Sequence, residues 1–222
     1  MEAFDNGLTL GADGIELDVH LSRDGVVVVH HDRTLDRTTT LRGPIADRTT
    51  DELRRVGVPT LVDVLERHRE ARVIVELKVN SEAMAQAIVD VVRQAGAVDR
   101  VCVGSFGRRV LRAVRALEPA AATSAAREEV RWALYRSRCG WPVTRVAYDG
   151  YQVPEIAGRT RVVSPRFVSD AHRAGLAVQV WTVDTEDAAR RLLDWGVDAL
   201  ITDRPDVVVP VVLSSPPPCP SM

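Results

Sequence analysis

Short runs of Val, Ile and Leu alternate with amphipathic stretches of Ala, Arg, Glu and Leu along most of the 222-residue chain. The apolar runs predict strands over 13–20, 26–31, 72–78, 100–105, about 121–125, 146–153, 176–183 and 198–202. Stretches with helical spacing of apolar residues predict helices over 2–10, 60–70, 81–95, 107–117, 127–137, 168–174 and 185–195. Gly96, Gly175 and Gly196 stand close to expected helix ends, where a left-handed residue closes the last turn. Regular β–α order predicts a parallel sheet covered by helices, either open and doubly wound or closed as a (β/α)8 barrel.

One join breaks the alternation. Strand 13–20 meets strand 26–31 through Ser22-Arg23-Asp24-Gly25, and an Asp-Gly pair at this spacing is a hairpin signal. So short a connection joins only antiparallel strands. Strand 26–31 is therefore a return arm that carries His31 back towards Glu16 and Asp18. Residues 32–59, rich in Thr, Asp and Arg, read as an insertion before the next helix. Without the return arm the parallel strands number seven, and the chain opens on a helix with no strand before it.

Glu16 and Asp18 lie two apart on one strand and share a face, as do Glu76 and Lys78 on another. Glu76 ends the run Arg72-Val73-Ile74-Val75, at the strand end where barrel enzymes keep reactive groups. Three carboxylates at neighbouring strand ends repel one another unless a cation lies between them. An all-oxygen donor set suits a hard divalent ion, Mg²⁺ or Ca²⁺, better than zinc. His31 supplies a group that moves protons near neutral pH. Lys78 is the single lysine among 29 Lys and Arg residues, a slim ammonium where the chain otherwise uses guanidinium. It reads either as a local ion pair or as a contact to a phosphate oxygen. Trp181 caps strand 176–183, as plain core or as the wall of a substrate pocket. His30 points away from His31 along the strand, His20 stands one step outside the carboxylates, and His68 and His172 read as surface groups.

Composition narrows the classes. A 45% hydrophobic content supplies a core, while a net charge of −2, 5% aromatic residues and the lack of a basic run argue against nucleic acid as partner. Cys102, Cys139 and Cys219 form no disulfide or zinc pattern, and the opening residues lack a secretory signal, which together point to a reducing, cytoplasmic setting. No apolar run reaches the roughly 18 residues of a membrane span, so no stable membrane insertion is expected.

The motifs Gly11-Ala12-Asp13-Gly14-Ile15-Glu16-Leu17-Asp18-Val19, Val29-His30-His31-Asp32 with Thr34-Leu35-Asp36-Arg37-Thr38, and Val75-Glu76-Leu77-Lys78 resemble the glycerophosphodiester phosphodiesterase family. Trp181-Thr182-Val183-Asp184 and the segment from Gly196 to Asp206 extend the likeness over about residues 2–209. The resemblance implies a TIM-type (β/α)8 barrel over 1–209 with a small insertion after the second strand, followed by a disordered Pro-rich tail over 210–222. It makes Glu16, Asp18 and Glu76 the metal ligands, His31 one of two acid–base histidines, Lys78 a phosphate contact and Trp181 a wall of the substrate pocket. The implied reaction is metal-dependent hydrolysis of a small glycerophosphodiester to glycerol 3-phosphate and an alcohol. The family's first strand, with its His-Arg-Gly motif and the Pro-Glu-Asn segment after it, has no counterpart here; the expectation is a late start or a fragment. The rival readings are a shortened relative that binds metal and phosphodiester with little turnover, and a lysophospholipase D-like activity.

Overall fold

The computed structural model describes residues 1–144 and 146–215. In chain order the first elements are helix α1 (Glu2–Thr9), strands β1 (Gly14–Leu21) and β2 (Val27–Val29), helices α2 (Thr50–Arg54) and α3 (Leu61–Arg67), and strand β3 (Arg72–Leu77). Helix α4 (Glu82–Gln94), β4 (Val101–Gly104), α5 (Arg108–Leu117), β5 (Ala122–Thr123) and α6 (Arg127–Cys139) follow. The remainder is β6 (Gly150–Pro154), a hairpin of β7 (Ile156–Ala157) and β8 (Thr160–Arg161), then α7 (Pro165–Arg173), β9 (Ala177–Trp181), α8 (Glu186–Asp194), β10 (Ala199–Leu200) and α9 (Pro205–Ser214). The chain divides into two compact units, Asp13–Arg127 with Met1, and Glu2–Ala12 with Glu128–Met222.

The first unit is built on a five-stranded sheet in the order β2-β1-β3-β4-β5. Strands β1, β3, β4 and β5 run parallel, and β2 is the antiparallel edge, as the hairpin reading requires. Gly25, with φ +80°, closes the turn by donating its N–H to the Ser22 carbonyl at 3.0 Å. Strand β2 is shorter than the expected 26–31. The His30 N–H still bonds the Asp18 carbonyl, but its outer edge is already taken: Val29 N–H donates to the Pro59 carbonyl. Alternation along β1 buries Ile15, Leu17 and Val19 on one face, and Val73, Val75 and Leu77 do the same on β3. Helix α4 is capped by Ser81 and buries Met84, Ala85, Ile88, Val89 and Val92, while α5 buries Val110, Leu111 and Val114.

The insertion over 32–59 is more structured than its polar composition suggests. Leu35, Ile45, Leu53 and Val58 gather around Val28 into a small core of their own. Helix α2, absent from the sequence reading, starts on a capping box in which Thr49 and Glu52 each satisfy the other's backbone N–H. Asp24 of the hairpin turn accepts hydrogen bonds from the Thr50 N–H and hydroxyl, tying hairpin and insertion together.

Close strand approach needs glycine at the start of β1. A Cβ on Gly14 would stand 2.6 Å from the Arg72 carbonyl oxygen, whereas one on Gly7 in α1 meets nothing within 4 Å. Gly14→Ala is expected to lose about 1–3 kcal/mol in a thermal melt, and Gly7→Ala to gain about 0.5–1 kcal/mol. Equal melts for the two would refute the crowding at Gly14.

The second unit has a parallel sheet in the order β10-β9-β6. Its core holds Tyr151, Val153, Phe167, Val178, Val180 and Leu192, with Tyr151 packed against Phe167 at 5.0 Å between ring centroids. All seven expected parallel strands are thus found, in two sheets. Helix α7 begins at Pro165, earlier than the expected 168, because Ser164 caps it by accepting the Phe167 N–H. Helix α9 corrects the boundary at 209: the apolar run continues past Pro210, Val211 is buried, and the helix reaches Ser214. The rest of the expected tail, 216–222, and Cys219 lie outside the described residues. Among the described residues no helix is long and apolar enough to cross a membrane.

Candidate active site

The alternation that buries Ile15, Leu17 and Val19 turns Glu16 and Asp18 to the other face of β1. The parallel register sets Asp18, in the middle of β1, beside Glu76 near the C-terminal end of β3, and with Glu16 three carboxylates come close enough to act on one another. Lys78, just beyond β3, places its Nζ 2.7 Å from Asp18 Oδ1; the two side chains are 25% and 11% exposed. The antiparallel return brings His31 Nε2 to 3.9 Å from Asp18 Oδ2, with the imidazole 71% exposed and open to a ligand. Glu16, Asp18, His31, Glu76 and Lys78 therefore come together within the first unit. Trp181 is the half-buried last residue of β9, in the second unit.

The electrostatics are those of an overcrowded acidic site. Burial raises the Glu16 carboxyl to about 7, helped by Asp18 and Glu76 and opposed by Lys78 and His31. Burial likewise raises Glu76 to about 7, with Lys78 pulling it down and Asp18 pushing it up. The Phe106 backbone N–H donates to the Glu76 carboxylate, yet Glu76 Oε1 is buried without any hydrogen-bond partner. A buried carboxylate oxygen in that state costs free energy and fits a cation as its missing partner. The all-oxygen donor set of Glu16, Asp18 and Glu76 thus fits a hard divalent ion. The carboxylates are not drawn in around a common point, since Lys78 holds Asp18; among the described residues no group of three His, Cys, Asp or Glu forms a ready-made metal cluster.

Two residues whose role the sequence reading missed govern His31. Its Nδ1 lies 2.7 Å from Asp32 Oδ1, and Arg37 Nε donates to Asp32 Oδ2 at 2.7 Å. Arg37 first and His31 second hold the Asp32 carboxyl well below the usual carboxylate range, so it stays an acceptor. The geometry assigns the proton to Nδ1 and leaves Nε2 facing the carboxylates. The signal is an acidic residue directly after the histidine with an arginine five positions later, both inside the motifs that carry the resemblance but given no role by it.

The remaining histidines differ in part from expectation. His20 is buried, with Nε2 3.4 Å from the His31 carbonyl oxygen, and burial lowers its pKa, so it supports the neighbouring backbone as a neutral ring. His30 turns away, to the Asp32 carbonyl oxygen and the Thr38 hydroxyl. His172 pairs with Asp198 at 2.9 Å. His68 is a correction: it is buried rather than on the surface, because it closes α3 where the chain turns into β3 and its carbonyl accepts from Arg100.

A parallel α/β fold that gathers carboxylates, an imidazole and an ammonium at its strand ends is the architecture of a hydrolytic enzyme acting on an anionic ester. The profile of the Glycerophosphoryl diester phosphodiesterase family matches residues 1–207, and the chain belongs to that family, whose members are phosphoric diester hydrolases. It is 35% identical over 226 residues to a probable glycerophosphodiester phosphodiesterase 2 of Mycobacterium tuberculosis, covering 96% of this chain and 84% of that protein. A crystal structure of the Agrobacterium tumefaciens glycerophosphodiester phosphodiesterase superposes with a TM-score of 0.75 at 28% identity, over 95% of this chain and 91% of that one. An Oleispira antarctica phosphodiesterase, solved in complex with the product sn-glycerol-3-phosphate, superposes with a TM-score of 0.78 at 25% identity, over 96% of this chain and 89% of that one. The fold class is the α/β TIM-barrel type of these relatives.

Proposed function

We propose that the chain hydrolyses glycerophosphodiesters to glycerol 3-phosphate and an alcohol, with Glu16, Asp18 and Glu76 holding a divalent cation, Mg²⁺ or Ca²⁺. The observation that carries this reading is the unpartnered, buried Oε1 of Glu76 beside two further carboxylates and the chain's single lysine. A product complex of the Oleispira phosphodiesterase with sn-glycerol-3-phosphate supports the same reaction here. When bound, a hard cation polarises a phosphate oxygen and makes the attacking hydroxyl more acidic.

The protein's own groups supply the rest. Lys78 takes a phosphate oxygen and offsets the negative charge that grows there in the transition state. His31 exchanges a proton at Nε2, either with the attacking oxygen or with the leaving alkoxide, while Asp32 keeps Nδ1 protonated and the ring in place. Water and the substrate's glycerol hydroxyl make the same demand on that nitrogen. Substrate wall contact by Trp181 rests on the family resemblance, and a reducing cytoplasm is the setting in which Cys102 and Cys139, neither in a disulfide, are expected to work.

The test is glycerol 3-phosphate release from glycerophosphocholine by the folded chain, with Mg²⁺ or Ca²⁺ and again with chelator. Chelator-sensitive turnover is the expected result; a folded chain that binds the diester without turnover would replace hydrolysis by binding. Asp32→Asn is expected to lower kcat about tenfold, a part of the 10²–10⁴ that a positioned acid–base group contributes. KM should stay nearly constant and the pH–rate profile should shift. An unchanged pH profile would remove Asp32 from the positioning of His31.

A further inference from the structure

Helix α6 keeps its aromatic rings outside the core, while Val130 and Leu134 are only half-buried on its inner side. Its fully buried residues are Ala133 and Ser137, small side chains, whereas Trp132 and Tyr135 are 58% and 49% exposed. A helix on a soluble protein normally turns its large apolar residues inward. Beyond the helix end, Trp141 donates its N–H back to the Arg136 carbonyl, which folds the ring, 55% exposed, onto the same side. The three rings form one array: Trp132 stacks on Tyr135 at 5.6 Å, and Trp141 meets Tyr135 edge-on at 6.2 Å. In a chain with 5% aromatic residues this concentration outside the core calls for a partner.

The charges beside the array indicate which partner. Arg131 and Arg138 are exposed on the same helix, and Arg138 donates to the carbonyl of Arg161 in the β7–β8 hairpin. That hairpin adds exposed Arg159, Arg161, which pairs with Glu155 at 3.2 Å, and an exposed aliphatic residue, Ile156. The acidic residues of α6, Glu128 and Glu129, are confined to its first turn. Trp and Tyr favour the headgroup level of a bilayer, and arginines beside them are attracted to anionic lipid. A second copy of the chain would set these arginines against each other. No run in the sequence collects this basic rim; it comes from a helix and a hairpin brought together by folding.

We propose that the α6 aromatic array with its arginine rim is a docking surface for an anionic bilayer, on which the chain lies peripherally without spanning it. This goes beyond the hydrolytic reading and does not depend on it. Co-sedimentation of the full chain with vesicles of phosphatidylglycerol and phosphatidylcholine in equal parts, against phosphatidylcholine alone, tests it. The chain is expected to partition to the anionic vesicles with a blue shift of tryptophan emission. Trp132→Ala with Trp141→Ala should lower the partition coefficient at least about tenfold. Arg131→Glu with Arg138→Glu should abolish the preference for anionic lipid, while circular dichroism confirms the fold of each variant. Binding to neither vesicle by the folded chain, or equal binding by the tryptophan variant, overturns the proposal. Self-association of the chain that the tryptophan variant loses would make a second copy the occupant and overturn it equally.

Discussion

Replacing Glu76 by Gln is expected to make the chain more stable at pH 8 and close to inactive. The carboxyl is raised from 4.5 to about 7 by burial, so between those values the folded chain keeps a proton that the unfolded chain has released. Stability conferred by the protonated form is complete below pH 4.5 and lost as the pH rises through about 7. Such a shift corresponds to about 3 kcal/mol; partial exposure and the buried amide that replaces the carboxyl reduce the gain to about 1–2 kcal/mol. Glu16 responds as well, because Glu76 is one of the charges that raise it. At pH 4.5 the two chains should melt together. Added Mg²⁺ or Ca²⁺ should raise the melting temperature of the parent chain at pH 8 and leave E76Q almost unmoved. Turnover should fall by about 10²–10³, the effect of removing one preorganised electrostatic group. Scanning calorimetry at the two pH values, with and without cation, separates these outcomes; an E76Q chain less stable than its parent at pH 8 would show that the carboxylate is satisfied where it stands.

Much of this site is written locally. Period-two alternation on β1 and β3 tells which carboxylates share a face, and Asp24-Gly25 tells that the chain returns and carries His31 with it. Those are short-range consequences of strand pleat and turn geometry. What the sequence leaves out depends on neighbours distant in the chain. The insertion reads as polar because Leu35, Ile45, Leu53 and Val58 are widely spaced, and only folding collects them. Asp32 reads as a motif companion of His31, and its tie to Arg37 needs the loop's actual path. His68 reads as surface because its flanks are charged, yet it closes α3 and is buried there. The helix expected over 127–137 is found, but periodicity does not reveal which side of it meets the protein and so does not tell that Trp132 and Tyr135 stay exposed.

Lys78 separates charge from shape. It is the ammonium that lowers both Glu16 and Glu76, and it holds Asp18 at 2.7 Å. Lys78→Met leaves three carboxylates without that ammonium, so both raised carboxyls rise further and the pH-dependent loss of stability becomes steeper. Removing one partner of a well-desolvated ion pair costs about 3–5 kcal/mol when burial is complete; with Lys78 a quarter exposed, about 1–3 kcal/mol is expected at pH 8. The share that comes from Glu16 and Glu76 should be gone at pH 5, where both are protonated in the fold, while the loss of the Lys78–Asp18 contact remains. Lys78→Arg restores the charge and hence most of the stability. It is not expected to restore the reaction under the proposed phosphate-contact role, because a planar, forked guanidinium does not fit the compact position that the ammonium takes beside Asp18. Activity in both variants is expected to fall by about 10²–10³, while their melting curves at pH 8 diverge. If K78R were fully active, positive charge alone would be enough at this position, and the single lysine in a chain otherwise served by arginine would have no chemical reason to be there.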